Sequence, residues 1–271
     1  MPSGVPGSVR VGPDRVLTGQ TASHVLHRVT VDRPIPSVPP LASLPFQPPD
    51  VSHLPLRVRF ADAYLAVLEK PPELLSCEGT TTAGCDSVVR RVRAAFPAAT
   101  GPILAHRLDA PTSGLLVVAL DPDTHRRLSA EFAARRVSRS YVAVVHQPDD
   151  RPRLSVGDAG TIALALASPW CERPRQRVDV IAGKAAVTDW AVVAAHPMTA
   201  RLKLGPRTGR THQLRVHCAD PAGLGAPIVG DRLYGRASPA LGSRLQLHAV
   251  TIAFTHPATG DRLHFEAPPD F

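Results

Sequence analysis

From Gly114 to Leu120 the chain is continuously apolar, and the run is bounded on its N-terminal side by Pro111, Thr112 and Ser113. It is far shorter than the ~20 residues a membrane-spanning helix needs. Its length and its turn-forming flank predict a short buried strand instead. Ile103, Leu104 and Ala105 suggest a second short strand just ahead of it. Between the two lies His106-Arg107-Leu108-Asp109-Ala110-Pro111, so an arginine and an acid sit one residue apart on a connection between buried segments. A carboxylate on such a turn is held rigidly with its head free. Taken alone, Asp109 reads either as a functional acid or as an ordinary turn acid.

Charge narrows the class of partner. The 271 residues carry a formal net charge of +8 and a pI near 10.0, which favours a polyanion. Nucleic acid is preferred to membrane, because no basic amphipathic helix with a strong apolar face is readable. Arginine supplies almost all of the positive charge, the only lysines being Lys70, Lys184 and Lys203, and its planar fork suits phosphate. An Arg-, Ala-, Pro- and Val-rich composition also follows from a GC-rich genome without any functional demand. Cys77, Cys85, Cys171 and Cys218 form no Cys-x-x-Cys pair. They are expected as idle or buried thiols rather than a zinc site or disulfide framework. No signal-peptide core is readable at the start, and cytoplasmic residence is the expectation.

Along the chain, residues 1–55 are rich in proline, with Pro34, Pro36, Pro39, Pro40, Pro45, Pro48 and Pro49, and read as an extended arm or linker. Thr18 to Val31 has no clear period. Leu56 to Phe60 and Tyr64 to Glu69 alternate on either side of an Ala61-Asp62-Ala63 turn and predict a hairpin. Asp86 is expected to cap a helix to Phe96 with Arg90, Arg91 and Arg93 on its solvated faces. Asp121-Pro122 predicts a second helix to about Arg136, with Leu128 and Phe132 one turn apart and Glu131 pairing Arg135. Ser138 to His146 alternates as a strand that places Tyr141, Ala143 and Val145 on one side. Residues 147–180 look like loops around a weak strand at Thr161 to Leu166. Trp190 to Ala194 and Ala200 to Leu204 read as an antiparallel pair. Thr211 is expected to cap a helix through His217, with free N–H groups near Arg210 suited to a phosphate.

Several of these stretches resemble, in order, the motifs of RluA-type RNA pseudouridine synthases. The strand closed by Glu69-Lys70-Pro71 is similar to the family's first motif. His106 to Asp109 followed by Thr112-Ser113-Gly114-Leu115-Leu116 resembles the catalytic motif, except that Ala110-Pro111 stands where a charged pair is usual. Gly183-Lys184 through Thr188, Gly209-Arg210-Thr211-His212-Gln213-Leu214-Arg215, Gly230-Asp231 to Tyr234-Gly235, and the final strands and tail complete the match over residues 56–271.

The resemblance implies a mixed α/β (α+β) fold: a mostly antiparallel, bent sheet with flanking helices and a basic cleft. It implies a catalytic domain over 56–271 preceded by an arm of uncertain structure at 1–55. The activity implied is isomerisation of specific uridines in rRNA or tRNA; because it involves no net redox change, no cofactor is expected, nor a metal, and a monomer is the default expectation where the sequence leaves the oligomeric state unreadable. Asp109 is implied as the essential acid, Tyr141 as the residue that stacks on the target base and assists proton transfer, and Arg210 as the arginine paired with the acid. Arg107, Leu214, Arg215, His212 and Gln213 are implied at the RNA, with Arg107 replacing the flipped base or contacting phosphate and Leu214 lining the uracil pocket. A catalytically inactive RNA-binding or RNA-chaperone protein of the same fold is the alternative. A glycoside hydrolase would need a second positioned acid, which neither long motif offers.

Overall fold

A computed structural model describes residues 9–10, 34–35, 50–79, 82–168, 174–235 and 244–271. Most of the proline-rich arm, all of the Thr18 to Val31 stretch and Cys171 lie outside the described residues. The chain forms two compact units, the first from the described residues up to Arg107 with Leu115–Ser138 and Thr251–Ala267, the second from Leu108–Gly114, Arg139–Val250 and Pro268–Phe271. Its secondary structure is a large, mostly antiparallel sheet with three helices among the described residues.

The first unit begins with the expected hairpin, β3 (Leu56–Ala61) and β4 (Leu65–Lys70). Two-residue strands precede it: β1 (Val9–Arg10) pairs in parallel with β12 (Arg262–Glu266), and β2 (Pro34–Ile35) lies antiparallel to β3. Asp62 makes the hairpin turn: Oδ1 accepts from Tyr64 N at 2.8 Å and Leu65 N at 2.9 Å, while Oδ2 meets His256 Nε2 at 2.8 Å. β5 (Ser113–Ala119) is buried at every residue, as its apolar run requires. Its residues Leu115, Val117 and Ala119 pack with Leu65, Val67, Leu128, Ile252, Phe254, Leu263 and Phe265 into one core. The stretch before β5 contributes a single bridge, Leu104 to Val118, rather than a strand. Helix α2 (Pro122–Ala133) starts as expected, with Asp121 accepting from Thr124 N, and Leu128 and Phe132 both reach the core. Glu131 pairs with Arg136 rather than Arg135.

Helix α1 (Val88–Ala95) corrects two expectations. Its cap is Ser87, not Asp86. Arg91, expected on a solvated face, is 0% exposed. Its guanidinium binds both oxygens of Asp86 and donates to Leu54 O at 2.6 Å and Val51 O at 3.0 Å. A buried arginine costs several kcal/mol unless each N–H finds a partner, and here the carboxylate and two carbonyls satisfy the fork.

The second unit is an antiparallel run of strands in the order β6 (Ser138–His146), β10 (Thr199–Pro206), β9 (Lys184–Ala195), β7 (Ala159–Ala167) and β8 (Arg177–Val178). The strand at 159–167 is longer than the sequence suggested. Its partner explains this: β9 pairs with it from Ala159↔Ala191 to Leu166↔Lys184. The β9–β10 pair forms as expected, with Leu204 opposite Trp190. Leu204 also lies opposite Tyr141 on β6.

Within this unit the start of β5 runs parallel to β11 (Leu247–Thr255), pairing Ser113 with His248 and Gly114 with Ala249. Gly114 has φ +110, and a Cβ there would lie 2.4 Å from Ala249 O and 2.5 Å from Ala249 N. Only glycine fits both the conformation and the approach. Helix α3 (Gln213–Ala219) contributes Val216 to a small core with Leu166 and Ala186.

Candidate active site

Asp109 sits on the turn that enters β5, with Thr112 N donating to its carbonyl at 3.0 Å. The turn is fixed from behind. Gly114 lies against Ala249, and Ser113 Oγ meets His248 Nδ1 at 2.8 Å in a buried contact. The carboxylate keeps 19% of its side-chain surface exposed. It is therefore held firmly yet open to a substrate.

Facing it is His212, whose Nε2 stands 4.0 Å from Asp109 Oδ2. His212 is the N-cap residue of α3, in the left-handed conformation with φ 53. Its Nδ1 lies 2.8 Å from the Tyr234 hydroxyl, which also accepts from Gln176 N at 2.7 Å. The hydroxyl still has a second lone pair and its own hydrogen, so it can pair with either tautomer of the ring, and the contact orients the imidazole.

Two arginines complete the charge pattern. Arg215 on α3 is buried and makes a two-pronged bond to Asp231, with Nε–Oδ2 and Nη2–Oδ1 both at 2.7 Å. Asp231 Oδ1 also accepts from Leu233 N at 2.9 Å and Tyr234 N at 3.1 Å. Burial by itself would raise the Asp231 carboxyl, but the bonds and charge of Arg215 win and hold it below the ordinary carboxylate value. Burial likewise opposes the Arg215 charge, and Asp231, with a further contribution from Asp109, keeps the guanidinium more basic than usual. Arg215 also covers the Tyr234 ring at 5.1 Å.

Tyr141, on β6, is buried. Burial pushes its hydroxyl upward; Arg139 pulls the other way by charge and hydrogen bond, and the negative charge of Asp109 pushes it further up. The phenol thus stays protonated.

Asp109, Tyr141, His212 and Arg215 are therefore brought together, and Asp109's charge also acts on Tyr234. Arg210 is not part of this arrangement as expected. It is exposed, its Nε donates to Ala185 O at 3.1 Å, and the arginine charge coupled to Asp109 comes from Arg215. The reason is local: the left-handed turn at His212 aims the imidazole at the acid. Arg215, one helical turn later, follows on the same face.

Three further expectations change. Gln213 is buried as a bracket, its Oε1 accepting from Arg210 N at 3.0 Å and Thr208 Oγ1 at 2.7 Å while Nε2 donates to Val187 O at 3.0 Å and Thr188 Oγ1 at 2.9 Å. Arg210 N–H is therefore occupied rather than free for a phosphate, and Thr211 is not the cap. Arg215 is buried in its pair with Asp231 and offers no open RNA contact, Leu214 is buried as a pocket-lining side chain would be, and Arg107 is exposed. Sequence reasoning passed over Arg139, and it did not assign roles to Asp231 and Tyr234 although their motif was visible. Nothing in the serine-flanked Arg139 distinguishes it locally from a strand-edge cation.

Residues 64–220 match a family model described as RNA pseudouridylate synthase. The chain is 41% identical over 220 residues to the dual-specificity RNA pseudouridine synthase RluA of Salmonella typhimurium, covering 80% of this chain and 94% of that one. It is 37% identical over 233 residues to the protein of the same name from Haemophilus influenzae, covering 85% and 100%. Among solved structures, human RNA pseudouridylate synthase domain containing 1 matches with TM-score 0.64 and 27% identity, over 83% of this chain and 87% of that chain.

Proposed function

The chain belongs to the RluA-type family of RNA pseudouridine synthases, and on that premise we propose that it isomerises uridines in structured rRNA or tRNA, with Asp109 as the reacting acid. The reaction breaks the bond from the ribose anomeric carbon to uracil N1, turns the ring, and joins the same carbon to C5. The proton lost from C5 balances the one gained at N1, so no oxidant or reductant is consumed. As the base leaves, positive character builds on the sugar. An ionised carboxylate relieves it by bonding to the anomeric carbon or by removing a ribose proton.

The observation that carries the reading is the setting of Asp109: part-exposed on a rigid turn, with His212 Nε2 at 4.0 Å and the positive charge of Arg215 acting on it. Arg215 is itself anchored by Asp231, so it acts as a positioning charge rather than a hand for RNA phosphate. The buried, protonated Tyr141 offers a ring face to the uracil and a hydroxyl to its polar edge. Because the target is hidden in a stack, the uridine must be flipped out, at a cost of a few kcal/mol. Exposed Arg107, next in the chain to buried Leu108, is suited to fill the space it leaves.

No helix of the described residues is long and apolar enough to cross a membrane, and we place the protein with its RNA in the cytoplasm, acting as a monomer. The test is incubation with rRNA and tRNA transcripts followed by carbodiimide-stop mapping. Pseudouridine at discrete positions, absent with Asp109→Asn, is the expected result. RNA binding with no pseudouridine on any transcript would favour an inactive RNA-binding protein instead.

A further inference from the structure

A groove in the second unit is lined by Leu166, Gln176, Arg177, Asp179, Lys184 and Arg210, together with smaller residues, and includes none of Asp109, Tyr141 or His212. Three cations face one carboxylate there. Asp179 is already committed: it lies 3.7 Å from Arg177, and its Oδ1 accepts from Ile181 N at 3.0 Å and Ala182 N at 2.9 Å. The groove is therefore electropositive, with Lys184 and Arg210 exposed.

Those bonds to Asp179 shape the turn between β8 and β9. Its tip carries Val180 at 84% and Ile181 at 95% exposure. The turn closes tightly, since a Cβ at Gly183 would lie 2.2 Å from Asp179 O. A rigid turn that presents two large aliphatic side chains to solvent beside an electropositive groove has the chemistry of a nucleic-acid contact: phosphates take the cations, and an unstacked base takes the apolar tip. Position favours the same occupant. Arg210 is two residues from His212, and two residues of chain span at most about 7 Å, so the groove starts close to the group facing Asp109.

We propose that this groove binds the sugar–phosphate backbone of the RNA strand flanking the target uridine, with Lys184 and Arg210 on phosphates and the Val180–Ile181 tip against an exposed base. The assignment rests on the reading of the chain as an RNA pseudouridine synthase. It gives Arg210 a substrate-holding place in the groove.

The experiment measures binding of a dye-labelled RNA stem-loop, with uridine in its loop, to the full chain by fluorescence anisotropy across a salt series. Each phosphate contact in a single strand contributes about 0.7 to the slope of log affinity against log salt. The double variant Lys184→Ala/Arg210→Ala should lower the slope by about 1.4 and weaken binding roughly tenfold near 0.1 M salt. Ile181→Ser should weaken binding about threefold with the slope unchanged, because its contact is apolar. Arg57→Ala, an exposed arginine on β3, is the control for general charge and should leave the slope as it is. A double-variant slope equal to that of the unaltered protein overturns the proposal, as does an equal fall in the Arg57 control. Carbodiimide-stop mapping of the same RNA with unaltered protein tests the enzymatic reading separately, whichever way the slopes fall.

Discussion

His212 touches both sides of the candidate site: its Nε2 stands 4.0 Å from Asp109 Oδ2 and its Nδ1 2.8 Å from the Tyr234 hydroxyl. The imidazole is thus oriented by a phenol behind it, with its other nitrogen towards the acid in front. Removing the Tyr234 hydroxyl should loosen that orientation while leaving the acid in place. Tyr234→Phe is expected to lower kcat about five- to tenfold, the value of one oriented hydrogen bond. Asp109→Asn should lower it by about 10³-fold or more while RNA affinity changes little. Single-turnover kinetics on a mapped substrate measures both. Equal losses from the two variants would contradict the division of roles.

Arg215 and Asp231 form a buried pair whose partners depend on each other. Asp231→Asn leaves the guanidinium buried without its counter-charge, and is expected to cost about 3–5 kcal/mol in denaturant unfolding. Pairing holds the Asp231 carboxyl below its ordinary value, so its stabilisation is present in full above the unfolded carboxylate range. It is lost as pH falls through the depressed folded value. The variant should therefore lack part of the acid-induced loss shown by the unaltered protein, read from unfolding curves at successive pH values.

His217 gives a second pH signature of the opposite charge type. It is fully buried, and neither ring nitrogen has a hydrogen-bond partner in the structure. Burial, only partly offset by the charge of Asp220, pushes its pKa down to about 4. The unfolded chain binds a proton near pH 6.5 that the native state refuses. Stability is thus unaffected by this group above that pH and falls between it and about 4, by up to about 3 kcal/mol. His217→Leu should flatten this part of the stability–pH curve. A curve of unchanged slope would show that the imidazole is not buried neutral.

Truncation tests whether the core needs the arm, whose short strands β1 and β2 pair with β12 and β3. A chain starting at Pro49 keeps the Val51 and Leu54 carbonyls that accept from Arg91 and is expected to melt cooperatively and to modify an accessible uridine. One starting at Leu56 loses both acceptors and should be less stable by about 3 kcal/mol or more. Thermal melts of the two proteins decide this. Equal stability would mean that water satisfies Arg91 as well as the two carbonyls do.

Much of this arrangement was legible in the sequence. The hairpin of β3 and β4 and the strand bearing Tyr141 announced themselves by alternation between turn residues, and α2 by Asp121-Pro122 before its apolar spacing. The turn carrying Asp109 was also readable. What escaped was set by distant partners. Arg91 looked solvated among three arginines because the carbonyls that bury it lie 37 and 40 residues earlier. Arg210 and Arg215 were indistinguishable as charges within one motif; the helix that follows the left-handed His212 decides that the charge coupled to the acid is Arg215. The length of β7 was hidden because its order comes from pairing with β9 rather than from its own pattern.

Ser113 and His248, which clamp the Asp109 turn, are 135 residues apart in the chain, and Gly114 meets Ala249 across the same interval. Contacts of such long sequence separation close late, because the loop entropy is paid before any reward arrives. During synthesis the acid is made long before the strand that fixes it, since Ser113 and His248 are 135 residues apart. A nascent or C-terminally clipped polypeptide would thus carry Asp109 without its fixed geometry. Isomerase activity should switch on only when translation passes β11.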